Sequence, residues 1–212
     1  MTEPDATPRR RTLSTAPERR EAVLNAAIRV FAQTGYRGTS VGTVAHEAGI
    51  SEAYVFRLFD GKQALFIATV RSCFERIREA LRVGAAGVDS SDPDELLAGM
   101  VAAYADLVTE RDLLMLQVHA LAASDEVAIR SAMTDCYRDL VTHVQFVSGA
   151  APEAVRNFFA RGQYYHLLTA LGLFGDLPGS ADVASEDWAR TLTHGMLHVP
   201  APGDRGAARP PR

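Results

Sequence analysis

Residues 36–65, YRGTSVGTVAHEAGISEAYVFRLFDGKQAL, fit few arrangements other than two short helices joined by a tight turn, with a third helix starting behind them. Val41, Val44 and Ala45 are spaced three and four apart and so share one helical face. Gly49 interrupts the pattern, as glycine does just past a helix end. Ser51 follows as a good N-cap, its hydroxyl able to accept a bond from a free N–H of the next turn. In the next helix Val55, Leu58 and Phe59 fall on one face. The opposite face carries Ala53, Tyr54 and Arg57, with Phe56 on its border. A short second helix whose outward face is small, aromatic and cationic suits insertion into a DNA major groove.

The matching residues are Gly35-Tyr36, Thr39-Ser40, Val44-Ala45, Ala48-Gly49-Ile50-Ser51, Phe56, Phe59, Lys62 and Leu65. On them, the stretch resembles the DNA-binding head of the TetR family of one-component bacterial regulators. With the helix before it, the resemblance covers about 50 of 212 residues. The chain departs from the family's usual run at three places: Ala53 stands where Gly is usual, Phe56 where Tyr is usual, and Leu58 where His is usual.

The net charge of −4 hides an asymmetry. Residues 1–65 hold nine Lys/Arg against seven Asp/Glu, a net of +2, and residues 66–212 hold 13 against 19, a net of −6. A basic head on an acidic body orients the molecule towards a phosphate backbone. Lys62 is the one lysine beside 21 arginines, and the resemblance puts it where the family contacts phosphate. No 18-residue apolar run marks a membrane span, and the polar, arginine-rich N-terminus has no hydrophobic signal region, so a cytoplasmic location is expected. Cys73 and Cys136 lie far apart within helical patterns and are expected as buried free thiols.

Helix punctuation recurs along the chain. Thr15 to Glu18 is a capping box with Pro17 in the first turn, opening a helix over about 17–34 that buries Val23, Ala27, Val30 and Phe31 and ends at Gly35. The two short helices span about 41–48 and 52–58, and Asp60-Gly61 caps a long one over about 62–83. The Gly/Ser/Asp cluster 84–92 reads as a loop. Asp92, Thr109 and Ser124 start helices reaching about 108, 122 and 148. Pro152 opens one to about 174, residues 175–184 form a loop, and Ser185 caps a last helix to about 197. No alternating strand pattern appears. The expected fold is all-α, with about nine helices. Its domains are a disordered basic arm (1–14, with Arg9-Arg10-Arg11), a helix-turn-helix head (15–61), a ligand-binding and dimerisation body (62–198) and a disordered tail (199–212).

At the DNA end, Tyr54 and Arg57 are the candidates for groove contact, and Arg57 can pair bidentately with guanine. Thr39, Ser40 and Ser51 sit at helix starts, where hydroxyls and free N–H groups favour phosphate oxygens, and Lys62 lies at another. Phe56 lacks the hydroxyl that similar proteins use on a phosphate but can meet a thymine methyl, while Tyr54 offers a hydroxyl nearby. Glu52 can accept from cytosine N4 or stabilise the helix dipole, and Ala53 permits close approach.

The resemblance implies a homodimer reading a palindromic operator through paired half-sites. Its interface would be the last two long helices, with Phe158, Phe159, Leu167 and Leu171 on one and Trp188, Leu192 and Met196 on the other. It also implies a small-molecule effector in a largely apolar pocket. Candidate lining residues are Met100, Tyr104, Met115, Gln117, His119, Tyr137, His143, Phe146, Tyr164 and His166. Gln117 and His119 interrupt the apolar run LLMLQVHALAA, but two residues apart they cannot face the same side. The implied mechanism is a repressor released from its operator when ligand shifts the fourth helix; no cofactor is expected. A regulator without a small ligand, controlled by a protein partner, shares every feature of the head. An enzyme built on a helical bundle is the remoter alternative. His194 and His198 stand at i, i+4, yet no acid follows the first His and no E-x-x-H is present.

Overall fold

The computed structural model describes residues 15–107, 110–173 and 187–193. Expectations for the arm 1–14, Thr109, the loop 175–184, Ser185, His194, Met196, His198 and the tail 199–212 lie outside the described residues. Among the described residues the chain is all-α, with nine helices and no strand. They are α1 (Ala16–Gly38), α2 (Val41–Glu47), α3 (Glu52–Leu58), α4 (Gly61–Ala86), α5 (Pro93–Leu107), α6 (Arg111–Ala122), α7 (Val127–Ser148), α8 (Pro152–Ala170) and α9 (Asp187–Thr193).

The sequence punctuation sets most helix starts. The Thr15 hydroxyl accepts from the Glu18 N–H, and the Glu18 carboxylate accepts from the Thr15 N–H, which closes the capping box. The Asp92 carboxylate accepts from the N–H groups of Asp94 and Glu95 at the start of α5. Gly35 takes φ 69° and breaks α1 as expected, but one more turn follows before Thr39 ends the element. Two expected caps fail. Asp60 stands at the N-cap of α4 without a side-chain cap bond. Ser124 donates back to the Ala120 carbonyl at the end of α6, so α7 starts only at Val127. A serine just past a helix end can bond backwards as readily as forwards.

The glycine-rich start of the expected loop at 84 proves to be the last turn of α4, which runs to Ala86. There α4 crosses α5 at close range. A Cβ on Gly84 would lie 2.5 Å from the Gly99 carbonyl oxygen, and one on Gly99 would lie 2.4 Å from Val88 Cγ2.

One continuous core joins head and body. Phe31 of α1 meets Phe66 of α4 edge to face at 4.8 Å, and Tyr36 lies 5.1 Å from the same ring. The line continues along α4 through Val70, Phe74, Ile77 and Leu81 to Leu113, Leu114 and Leu116 of α6. A smaller cluster forms between α8 and α9 around Leu168, Leu173 and Ala189. Cys73 and Cys136 are free and buried, and burial pushes the Cys73 thiol up to about 12.

Candidate nucleic-acid interface and body cavity

The head presents α3 by holding it from behind. Ser40 and Ser51 cap α2 and α3, accepting from the N–H groups of Thr43 at 3.0 Å and Tyr54 at 3.3 Å. Between them Gly49 takes φ 67°, and the Ile50 N–H bonds the Ala45 carbonyl at 3.0 Å, closing the turn. Val55 and Phe59 sink into the core beside Val44. That fixes the rotation of α3 and leaves Glu52, Ala53, Phe56 and Arg57 exposed. Phe56 is 51% exposed, a large apolar ring with solvent as its main neighbour. Tyr54 is half-buried, and the guanidinium of Arg57 lies 5.5 Å from its ring centroid, with that of Arg19 at 5.7 Å. Arg19 thus joins this surface from α1. No sequence motif pointed to it, because a lone arginine on a solvated helix face reads as ordinary.

Three expected contact residues have other engagements. Thr39 is buried, its hydroxyl 2.6 Å from that of Thr34, so it locks the end of α1. The Lys62 ammonium donates to the Arg37 carbonyl at 3.2 Å and lies 4.8 Å from the Tyr36 ring centroid. In this state it ties α4 to the end of α1. Glu52 leans back on α2: a Cβ on Gly42 would lie 3.1 Å from Glu52 Oε2.

In the body, a cavity of about 40 Å³ opens between α4, α5, α6, α7 and α8, room for a few waters. Ile77, Leu81, Val101, Leu140, Phe158 and Phe159 give it apolar walls. Of the ten expected pocket residues it gathers Tyr104, Gln117, Tyr137 and His166. A chain of polar contacts crosses it. Gln163 Nε2 donates to Tyr137 Oη at 2.8 Å, Gln163 Oε1 faces His166 Nδ1 at 3.1 Å, and His166 Nε2 lies 3.4 Å from Tyr104 Oη. Burial lowers His166 to about 4, so it stays neutral, and burial likewise raises the Tyr104 phenol.

The other six expected pocket residues lie elsewhere. Met100 is core and Met115 is half-buried off the cavity. His119 turns to the head, where a Cβ on Gly35 would lie 2.8 Å from its Nδ1. His143 and Phe146 line an outer groove between α4 and α7, and Phe146 is 86% exposed. It stands two residues beyond buried Val144, on the other side of the helix. Tyr164 donates to the Leu192 carbonyl at 2.8 Å and so joins α8 to α9.

The family description "Bacterial regulatory proteins, tetR family" matches residues 23–69, which run from α1 through the first turns of α4. The head is that of a TetR-family regulator. Among curated relatives, the HTH-type transcriptional regulator BetI of Brucella abortus (strain 2308) is 36% identical over 86 residues, 41% of this chain. The match spans only 42% of that relative's length. Solved structures extend the likeness of fold into the body. A putative transcriptional regulator from Pseudomonas aeruginosa PAO1 superposes with TM-score 0.60 at 16% identity, covering 86% of this chain and 92% of its own. The regulator FadR from Bacillus subtilis, in complex with stearoyl-CoA, does so with TM-score 0.52 at 16% identity, covering 71% of this chain and 93% of its own.

In the body the expected dimer residues divide. Phe158 and Phe159 are half-buried, line the cavity and pack on each other with ring centroids 5.4 Å apart. Leu167, Leu171 and Trp188 are exposed at 47%, 48% and 46%. Leu192 is half-buried against the small cluster of α8 and α9.

Proposed function

We propose that this chain is a sequence-specific DNA-binding regulator, a repressor that a small, largely apolar ligand releases from a palindromic operator. The observation that carries the reading is the outward face of α3. Phe56 and Arg57 stand exposed on a helix whose back is pinned by Val55, in a head that matches the family. A phenyl ring kept in water is costly unless a partner covers it, and Arg57 beside it suits base edges or phosphate. The curated relatives that match the head are transcriptional regulators, which supports a regulator over an enzyme. No described helix is long and apolar enough to cross a membrane.

The apolar cavity supports the effector half of the reading, as does the stearoyl-CoA bound by the Bacillus subtilis neighbour. At about 40 Å³ the cavity is far smaller than a typical ligand pocket, so a ligand must push its walls apart. Two of those walls lead to the head. Ile77 and Leu81 stand on α4, which two residues separate from α3. Gln117 stands on α6, two residues before His119, which abuts Gly35 of α1. A ligand that spreads the cavity therefore loads both supports of the head. A coupling of about 1–3 kcal/mol between the sites suffices for regulation.

The test is selection of duplexes from a random DNA library by the purified protein at near-physiological salt. Enrichment of a palindrome is expected. Binding that is only salt-sensitive, with no enriched sequence, would overturn the reading.

A further inference from the structure

We infer that the body cavity selects an uncharged ligand, an apolar molecule carrying one hydroxyl or amide group held between Tyr104 and His166. The inference rests on the reading of this cavity as the effector site and adds the chemical class of what enters it.

The polar chain across the cavity has a direction. Gln163 spends its amide N–H on Tyr137 Oη at 2.8 Å, so its carbonyl oxygen is what faces His166 Nδ1 at 3.1 Å. An oxygen there requires the imidazole proton on Nδ1. His166 Nε2 is then a bare acceptor aimed at Tyr104 Oη. Their separation of 3.4 Å is long for a bond between oxygen and nitrogen. The pair is the loosest link of the chain, and it lies among apolar walls. A ligand hydroxyl or amide inserted there donates to His166 Nε2 and accepts from the Tyr104 hydroxyl. Both protein groups then gain a closer partner than each other.

Charge sets the second half of the selection. Tyr104, Gln117, Tyr137, Gln163 and His166 supply neutral polar groups to the lining. Among the described residues lining it, Arg161 is the one ionised side chain, and it is exposed. An anion drawn inside would lose its hydration with no buried cation to receive it, and a cation would find no carboxylate. His166 cannot answer an anion by taking a proton near neutral pH, since burial holds it neutral.

Three one-ring probes of similar size separate the terms: toluene, benzyl alcohol and benzoate, with dissociation constants for the full chain measured by ligand-observed NMR at pH 8. Benzyl alcohol is expected to bind at least fivefold tighter than toluene and at least tenfold tighter than benzoate. His166→Phe is expected to erase the preference for the alcohol while toluene binding persists. Tyr104→Phe, which keeps the ring and only removes the hydroxyl, is expected to shrink the preference and serves if the first variant does not fold. Benzoate binding as tightly as the alcohol, or an alcohol preference that survives both variants, would overturn the inference. So would toluene binding as well as benzyl alcohol, and in that case the cavity would still stand as an apolar effector site. Failure of all three probes to bind would overturn the effector-site reading and this inference together.

Discussion

The Arg57 side chain is supported by the residue three before it. Its guanidinium lies 5.5 Å from the Tyr54 ring centroid, and that ring is itself half-buried, so the long side chain starts from a supported position on an exposed face. Less rotamer freedom is lost when it meets a base. Arg57→Ala is expected to weaken binding to the selected operator by about 1–3 kcal/mol and binding to random duplexes much less, as titrations of both would read. Equal losses on the two would make Arg57 a phosphate contact. A second single-residue effect belongs to His166. Its folded pKa is about 4 against an ordinary 6.5, so between these values the unfolded chain binds more protons than the folded one. Stability is then full above pH 6.5 and falls as pH drops towards 4, by up to about 3 kcal/mol. Urea unfolding of the wild-type and His166→Phe chains across that window measures it, and the variant is expected to lose this part of the slope.

Among the elements, the crossing of α4 and α5 is the tightest. A Cβ at Gly84 would meet the Gly99 carbonyl oxygen at 2.5 Å and Ala103 Cβ at 2.7 Å. Both belong to a packed helix that cannot move aside locally. Alanine would gain about 1 kcal/mol of helix propensity there, yet the overpacking costs about 1–3 kcal/mol and falls on backbone, so Gly84→Ala is expected to be net destabilising. Gly162 in α8 is the control, since nothing lies within 4 Å of its added Cβ. Gly162→Ala is expected to stabilise by up to about 1 kcal/mol in the same denaturation experiment. The contrast also says what the sequence could carry at this scale. Caps and periodicity are local, so the box at Thr15, the break at Gly35 and the serine caps of α2 and α3 were legible. Gly84 was not: a glycine that thins a crossing and a glycine that opens a loop look alike until the partner helix is known. The same holds for Ser124, whose backward bond depends on how α6 ends.

For the whole molecule, the palindromic operator proposed above calls for a second copy, and the question is which apolar face of α8 would meet it. Apolar residues occupy both sides of α8, and periodicity alone could not say which side was inside. Phe158 and Phe159, half-buried, line the cavity with Tyr104, Gln117 and His166. The fold also explains why only part of the cavity was legible: polar interruptions such as Gln117 stand out in an apolar run, whereas Ile77, Leu81 and Val101 look like any core. What remains for a partner is Leu167 of α8, Leu171 just past its end and Trp188 of α9, each close to half exposed. A single head touches one half-site, and joining two heads turns the second contact into an intramolecular one. Leu171→Arg puts a charge into the middle of that face while leaving the cavity walls and α3 untouched. The wild type is expected to sediment as a dimer and the variant as a monomer. Its affinity for the full palindrome is expected to fall roughly hundredfold, and its affinity for an isolated half-site to stay the same. A dimeric variant with wild-type affinity would move the interface to another surface. The exposed Phe146 on α7 would then be the first place to look, because it is the most exposed large apolar side chain among the described residues.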